Sequence, residues 1–119
     1  MMAEARDDDE VFVYMGGGQF VPIDVRRVRI DKSVKIIPSR AFYHRTNLIY
    51  VEFHDGIERI EKRAFYGCTF LRSVKLLGVK VVEELAFFFC VQLTDLDLPE
   101  GLETIEQSAF YKCNRLRRH

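Results

Sequence analysis

Self-similarity at a fixed spacing constrains this chain more than any other feature. The stretch Leu48–Phe70, LIYVEFHDGIERIEKRAFYGCTF, falls over Val25–Asn47 when slid 23 residues upstream. Slid downstream it falls over Leu71–Gln92, which is one residue shorter. A fourth copy, Leu93–Arg115, follows, and a fifth opens at Leu116. Recurrence with a period of about 20–50 residues marks a stack of small units, none of which can bury its apolar face alone. At 119 residues the chain holds one such domain, with 48% hydrophobic residues to build its core.

Stacking the copies turns scattered apolar residues into rows. Val25, Leu48, Leu71, Leu93 and Leu116 form the first; Val28, Val51, Val74 and Leu96 the second; Ile30, Phe53, Leu76 and Leu98 the third. Val34, Ile57, Val79 and Leu102 come next, then Ile37, Ile60, Val82 and Ile105. An alanine row (Ala41, Ala64, Ala86, Ala109) precedes a phenylalanine row (Phe42, Phe65, Phe87, Phe110). Rows of one residue type across all copies are the pattern expected of inward positions in a layered core.

Each copy has the same local order. The opening L-x-x-V-x-L alternates with period two, which predicts a short strand. Turn residues follow, Asp55-Gly56 in the second copy and Pro99-Glu100-Gly101 in the fourth. A second short extended piece comes next. The stretch E-K-R-A-F-Y-G-C predicts about two turns of helix, opened by Pro38, Glu61, Glu83 or Glu106. Proline or an acid at that position suits a helix start.

Ahead of the repeats, residues 1–10 are acidic and predict a disordered, solubilising tail. Residues 11–24 predict a cap: Val11–Tyr14 forms an extra strand over the first copy, and Gly16-Gly17-Gly18 forms a turn. The glycines are not a phosphate loop, since neither GK[ST] nor a helical pattern follows. The repeats then occupy 25–47, 48–70, 71–92 and 93–115, with the start of a fifth to residue 119.

These residues resemble a known family. The pattern L-x-x-V-x-L-P-x-x-L-x-x-I-x-x-x-A-F-x-x-C over Val25–Leu116 is similar to the BspA-like leucine-rich repeats. Ala-Phe recurs at 41–42, 64–65, 86–87 and 109–110, and Cys68, Cys90 and Cys113 each fall four residues after the alanine. The resemblance implies a curved α/β repeat solenoid of leucine-rich-repeat type, with parallel strands on a concave face and short helices opposite. It also implies a protein-interaction role, often in surface-exposed or host-contacting proteins. Pro38, Glu61, Glu83 and Glu106 stand where members often carry glycine, and Arg45 stands in the cysteine row of the first copy.

Bulk properties narrow the function. Eighteen basic residues balance eighteen acidic ones, so no overall field favours nucleic acid or an anionic membrane. The basic clusters Arg26-Arg27-Arg29 and Arg115-Arg117-Arg118 are too narrow for a nucleic-acid stripe. No apolar run reaches the ~20 residues of a membrane helix. The acidic start lacks the features of a secretory signal, so an intracellular, cytoplasmic location is expected. The three cysteines contain no CxxC pair, which argues against a zinc site or disulfide framework and for a buried reduced ladder. No D-x-D-x-D-G loop supports calcium. No catalytic, metal-binding or cofactor-binding residue is expected, and no cofactor.

Two groups of residues depart from a purely structural role. Outward positions of the concave strands form the rows Arg29, Glu52, Lys75, Asp97 and Arg27, Tyr50, Ser73, Asp95. Neighbouring strands lie ~4.8 Å apart, so the first row alternates in sign at ion-pairing distance. It is either a self-satisfied surface ladder or a polar face that recognises a protein or pairs head to tail with a second copy. The third copy supplies the other group. Phe70, Leu85 and Phe89 stand in otherwise polar rows, near the one-residue deletion at Leu77-Gly78. They form an apolar patch on the helix side, or reflect local repacking. The expected function is a non-catalytic protein–protein interaction module with an unknown protein partner. The alternative is a structural segment of a longer repeat array, self-associating through an uncapped C-terminal end.

Overall fold

The computed structural model describes residues 10–118, and the expected acidic tail falls outside them except for Glu10. Ten short strands, all paired in parallel, wind into a solenoid: β1 (Phe12–Tyr14), β2 (Arg27–Ile30), β3 (Ile36–Ile37), β4 (Tyr50–Glu52), β5 (Arg59–Ile60), β6 (Ser73–Lys75), β7 (Val81–Val82), β8 (Asp95–Asp97), β9 (Thr104–Ile105) and β10 (Arg117–Arg118). Each repeat is one coil with three sides. The longer strands make the first side and the two-residue strands β3-β5-β7-β9 the second, a continuous sheet. The Ala-Phe stretch makes the third.

Period-two alternation puts Val28, Ile30, Val51, Val74 and Leu96 inward and leaves Arg29, Glu52, Lys75 and Asp97 outside. The core is one cluster from Tyr14 to Ala109. Its axis is the phenylalanine row, with successive ring centroids 4.9 Å (Phe42–Phe65), 5.0 Å (Phe65–Phe87) and 5.0 Å (Phe87–Phe110) apart and planes within 6°. One copy per coil stacks its ring on the next, so each coil depends on its neighbours.

The third side is not helical, and no helix occurs among the described residues. Two residues per coil have left-handed backbone: Arg40 and His44, Arg63 and Gly67, Leu85 and Phe89, Ser108 and Lys112. Tight turns result, as in the bond from Ala64 N–H to Glu61 C=O. The freed donors reach sideways. Phe42 N–H donates to Ala64 C=O, His44 N–H to Tyr66 C=O, Phe65 N–H to Ala86 C=O and Gly67 N–H to Phe88 C=O, all at 2.7–2.8 Å. A helix would spend those donors on its own carbonyls. Here they bind coil to coil, which offsets the ~1 kcal/mol or more that each non-glycine left-handed residue costs.

β1 closes the first coil, pairing Phe12 with Val28 and Tyr14 with Ile30. Tyr14 is buried, with its ring 5.1 Å from Phe42 and its hydroxyl donating to Gly17 C=O. Burial raises its pKa. Gly16 and Gly17 take positive φ in the turn that follows. At the far end β10 pairs with β8 and Leu116 packs against the core, but the other two sides are less covered: Ile105 is 40% exposed, and Leu102, Phe110 and Cys113 are half-buried.

The deletion in the third copy has a definite cost. Seven positions separate Arg29 from Ile36, Glu52 from Arg59 and Asp97 from Thr104, but only six separate Lys75 from Val81. β7 stays in register with β5 and β9, so the missing residue is taken from the turn before it. Gly78 presses on Asp55 there, where a Cβ would land on the carbonyl oxygen. The long-strand face splits at the same place into β1-β2-β4 and β6-β8-β10.

Candidate functional site

The two rows on the long-strand face are therefore each two half-rows. Register joins Arg27 to Tyr50 and Arg29 to Glu52 on one side of the break, and Ser73 to Asp95 and Lys75 to Asp97 on the other. Each half carries a shallow groove. One, of about 250 Å³, includes Arg29, Asp31, Glu52 and His54; the other, of about 440 Å³, is lined by Ser73, Val74, Lys75, Asp95 and Asp97. Strand pairing across the row is interrupted between β4 and β6, although Arg72 N–H still donates to Ile49 C=O beside the break.

Nor do the charges satisfy one another. Among the described residues no ion pair joins Arg29 to Glu52 or Lys75 to Asp97, and all four side chains are exposed. In the second row Tyr50 is 43% exposed and Ser73 half-buried, whereas Arg27 and Asp95 have interaction partners. Ion pairs do form on the second and third sides, Arg59–Glu83 at 2.7 Å and Lys62–Glu84 at 3.9 Å. Among the described residues these two pairs join charges of neighbouring coils, and none is recorded between Arg29, Glu52, Lys75 and Asp97.

The glutamate row turns out to brace neighbouring coils. Glu61 accepts from Ser39 N–H, and Glu83 accepts from Lys62 N–H as well as from Arg59. These carboxylates satisfy backbone donors of the preceding coil's turn, a use that replaces the helix-end role read from the sequence.

The cysteine row is likewise structural. All three are free. Cys68, Cys90 and Cys113 each donate a thiol hydrogen to the carbonyl of Phe42, Phe65 and Phe87 respectively, at 3.1–3.3 Å. In the first coil Arg45 fills that place, with Nε donating to Val21 C=O and Nη1 to Tyr43 C=O. Burial pushes the Cys68 thiol up to about 12 and Cys90 up as well, while a hydrogen bond with Cys90 lowers Cys113. Among the described residues no cluster of histidine, cysteine and acid side chains could hold a metal ion.

In the third copy, Phe70 is 48% and Phe89 45% exposed, and Leu85 is half-buried. Leu85 and Phe89 hold the two left-handed positions of that coil, which explains why they face outward. Phe89 packs on Phe88 (5.9 Å), whereas Phe70 makes no ring contact among the described residues. Phe88 continues a second aromatic column, Tyr43–Tyr66–Phe88–Tyr111. Sequence reasoning missed Leu77, 57% exposed on the shortened turn; its signal was the deletion beside it.

A stack of parallel-strand coils with an inward phenylalanine column and a polar strand face defines a leucine-rich-repeat solenoid. The model for the BspA type leucine-rich repeat region matches residues 15–118, and the chain belongs to that family. A leucine-rich repeat protein from Bacteroides ovatus ATCC 8483 has a similar crystal structure, with a TM-score of 0.79 at 23% identity. The match covers 89% of this chain and 29% of that one. The Leucine Rich Repeat protein of T. pallidum (TpLRR) is 32% identical, with a TM-score of 0.71 over 75% of this chain and 42% of its own. The chain thus spans less than half the length of either. No curated protein matched. No helix among the described residues is long and apolar enough to cross a membrane.

Proposed function

We propose that the chain is a non-catalytic protein-interaction module that binds through the long-strand face. One observation carries this reading. Arg29, Glu52, Lys75 and Asp97 stand exposed in fixed register on the long-strand face and form no ion pair with one another among the described residues. Unpaired charges of both signs in fixed register suit a partner of complementary pattern, giving specificity and orientation more than raw affinity. The split at β4/β6 makes the face two charged patches with a seam between them. Tyr50 stands beside the seam as the aromatic contact.

The test is capture of a protein by the intact chain, repeated with the Arg29→Glu, Lys75→Glu double variant. The double variant should lose the captured protein while its circular dichroism is unchanged. If capture survives those reversals and is abolished by Phe89→Ser, the third side is the binding surface and the strand-face reading is wrong.

A second reading, a structural segment of a repeat array without binding of its own, draws support from the open face of the fourth coil. Hydrogen exchange separates the two. Protection of residues 104–112 equal to that of the central coils, in a chain that is monomeric by light scattering, would rule out the array.

A further inference from the structure

The third side of the solenoid changes character at one inner coil. Leu85 stands in a row with Arg40, Arg63 and Ser108, Phe89 with His44, Gly67 and Lys112, and Val91 with Thr46, Thr69 and Asn114. Between them, Phe88 replaces the tyrosine that the other three coils share. Coil-to-coil bonds hold these rows in register, Gly67 N–H donating to Phe88 C=O and Phe89 N–H to Tyr111 C=O. Phe89 is 45% exposed and Leu85, Phe88 and Val91 are half-buried, so the third coil presents an apolar surface where its neighbours present polar groups. Phe70 adjoins it, one residue past Thr69, whose carbonyl accepts from Gln92 N–H. The patch has a coil on either side of it.

The same side is basic. Across all four coils, residues 39–47, 62–70, 84–92 and 107–115 hold Arg40, Arg45, Lys62, Arg63, Lys112 and Arg115 against Glu84 alone. The whole chain has no net charge, so this excess is local. Glu84 lies 3.9 Å from Lys62. The bordering Glu61 and Glu83 are held by the N–H groups of Ser39 and Lys62, and Glu83 also by Arg59. Arg63 flanks the apolar patch on one side and Lys112 on the other.

The aromatic column adds to the positive character. Tyr66 has Tyr43 against one face, at 4.9 Å, and Phe88 against the other, at 4.8 Å, so only its ring edge is left to reach the surface. Ring edges carry partial positive charge. They suit carboxylates and the faces of a partner's aromatic rings.

An apolar patch between cations calls for apolar side chains between carboxylates. A second copy of the same side would set cations against cations, which opposes pairing. A bilayer fits less well: three of the four apolar side chains are half-buried, leaving little to enter the ~5–10 Å that an interfacial anchor reaches. We infer that the third side docks an acidic segment of a partner protein. One or two large apolar residues of that segment sit on Leu85, Phe88 and Phe89, and carboxylates on either side of them reach Arg63 and Lys112. The inference does not rest on the strand-face reading, because Arg29, Glu52, Lys75 and Asp97 lie on another side of the coil.

Fluorescence anisotropy of a labelled peptide, Glu-Asp-Glu-Phe-Leu-Asp-Glu, titrated with the full chain tests it. The peptide should bind, and more weakly as salt rises. Serines in place of its apolar pair, or lysines in place of its acids, should remove binding. In the chain, Leu85→Ser with Phe89→Ser should weaken binding about tenfold or more, as loss of a central apolar contact does. Arg63→Gln with Lys112→Gln should weaken it at low salt and flatten the salt dependence. Arg29→Gln with Lys75→Gln removes the same charge from the strand face and should bind the peptide as wild type does. Serine already stands in the row of Leu85, at Ser108, so circular dichroism should be unchanged. A chain that ignores the acidic peptide, or binds the lysine peptide equally well, would overturn the inference. So would equal losses from the two neutralised pairs, which would leave only general charge attraction. Binding to phosphatidylserine vesicles in preference to the peptide would overturn it in favour of a membrane surface. A dimer in sedimentation that Phe89→Ser dissolves would overturn it in favour of self-pairing.

Discussion

The second coil and the fourth contain nearly the same apolar residues and end in different states. In the second, Leu48, Ile57, Ile60, Ala64 and Phe65 are all fully buried. In the fourth, Leu102 and Phe110, which match Ile57 and Phe65, are half-buried, and Ile105, which matches Ile60, is exposed. The difference is not in the residues but in what lies on either side. Phe65 has a ring stacked on both faces, whereas Phe110 has one. In a solenoid, burial belongs to the interface between copies rather than to the copy itself.

That statement gives the largest expected effect. Phe65→Ala removes a ring from the middle of the column and should cost about 3–5 kcal/mol, the range for a fully buried phenylalanine. Phe110→Ala should cost about half as much, because its outer face is not covered by the chain. Urea unfolding of both variants measures the contrast. Equal losses would mean that the fourth coil is covered in solution.

The next effect lies between the second and third coils. Gly78→Ala puts a Cβ onto the Asp55 carbonyl, a backbone atom that cannot move aside without moving the turn. A loss of about 2–3 kcal/mol is expected, as for overpacking in a tight site. Gly101→Ala, the same change on the unshortened turn of the fourth coil, meets nothing within 4 Å and should lie within about 0.5 kcal/mol of wild type. Thermal unfolding of the pair isolates the cost of the missing residue from any general cost of losing a glycine in these turns.

Much of this architecture could be read in the sequence, because the inward rows are set by residue type and the repeat makes each row visible several times. The capping strand was readable for the same reason: the first coil needs a cover, and Val11–Tyr14 alternates suitably. The third side was misread as helix. Its signal is a backbone property, left-handed residues four apart, and glycine marks only one of the eight positions. Arg40, Arg63, Leu85 and Phe89 hold the same conformation without showing it. The split of the strand face was not legible either. The deletion at Leu77-Gly78 could be counted, but whether β6 or β7 would yield depends on which sheet keeps its register. Apart from Leu77, the residues of the two candidate surfaces were visible, yet side-chain pairing was not. Strand spacing alone places Arg29 near Glu52 and cannot say that Arg59 finds Glu83 instead of solvent.

The left-handed positions give the smallest effect and the finest probe of the two coils. Arg63→Gly in the second coil and Ser108→Gly in the fourth both relieve a side chain held at positive φ, 61° and 69° respectively. Relief worth ~1 kcal/mol or more is opposed by the extra freedom glycine gives the unfolded chain, leaving a net gain of about 0.5 kcal/mol. Arg63 lies in an inner coil, its N–H donating to Glu84 C=O of the third coil and its carbonyl accepting from Tyr66 N–H within its own turn. Its gain should therefore appear in the global unfolding transition. Ser108 lies on the open coil, so its gain should appear mainly as slower amide exchange at Tyr111 and Cys113, whose donors bind Ser108 and Phe110 carbonyls. A global gain from both substitutions would show that the fourth coil unfolds together with the centre. A local gain from both would show that the second coil opens on its own, contrary to the cooperation that its two-sided ring stacking implies.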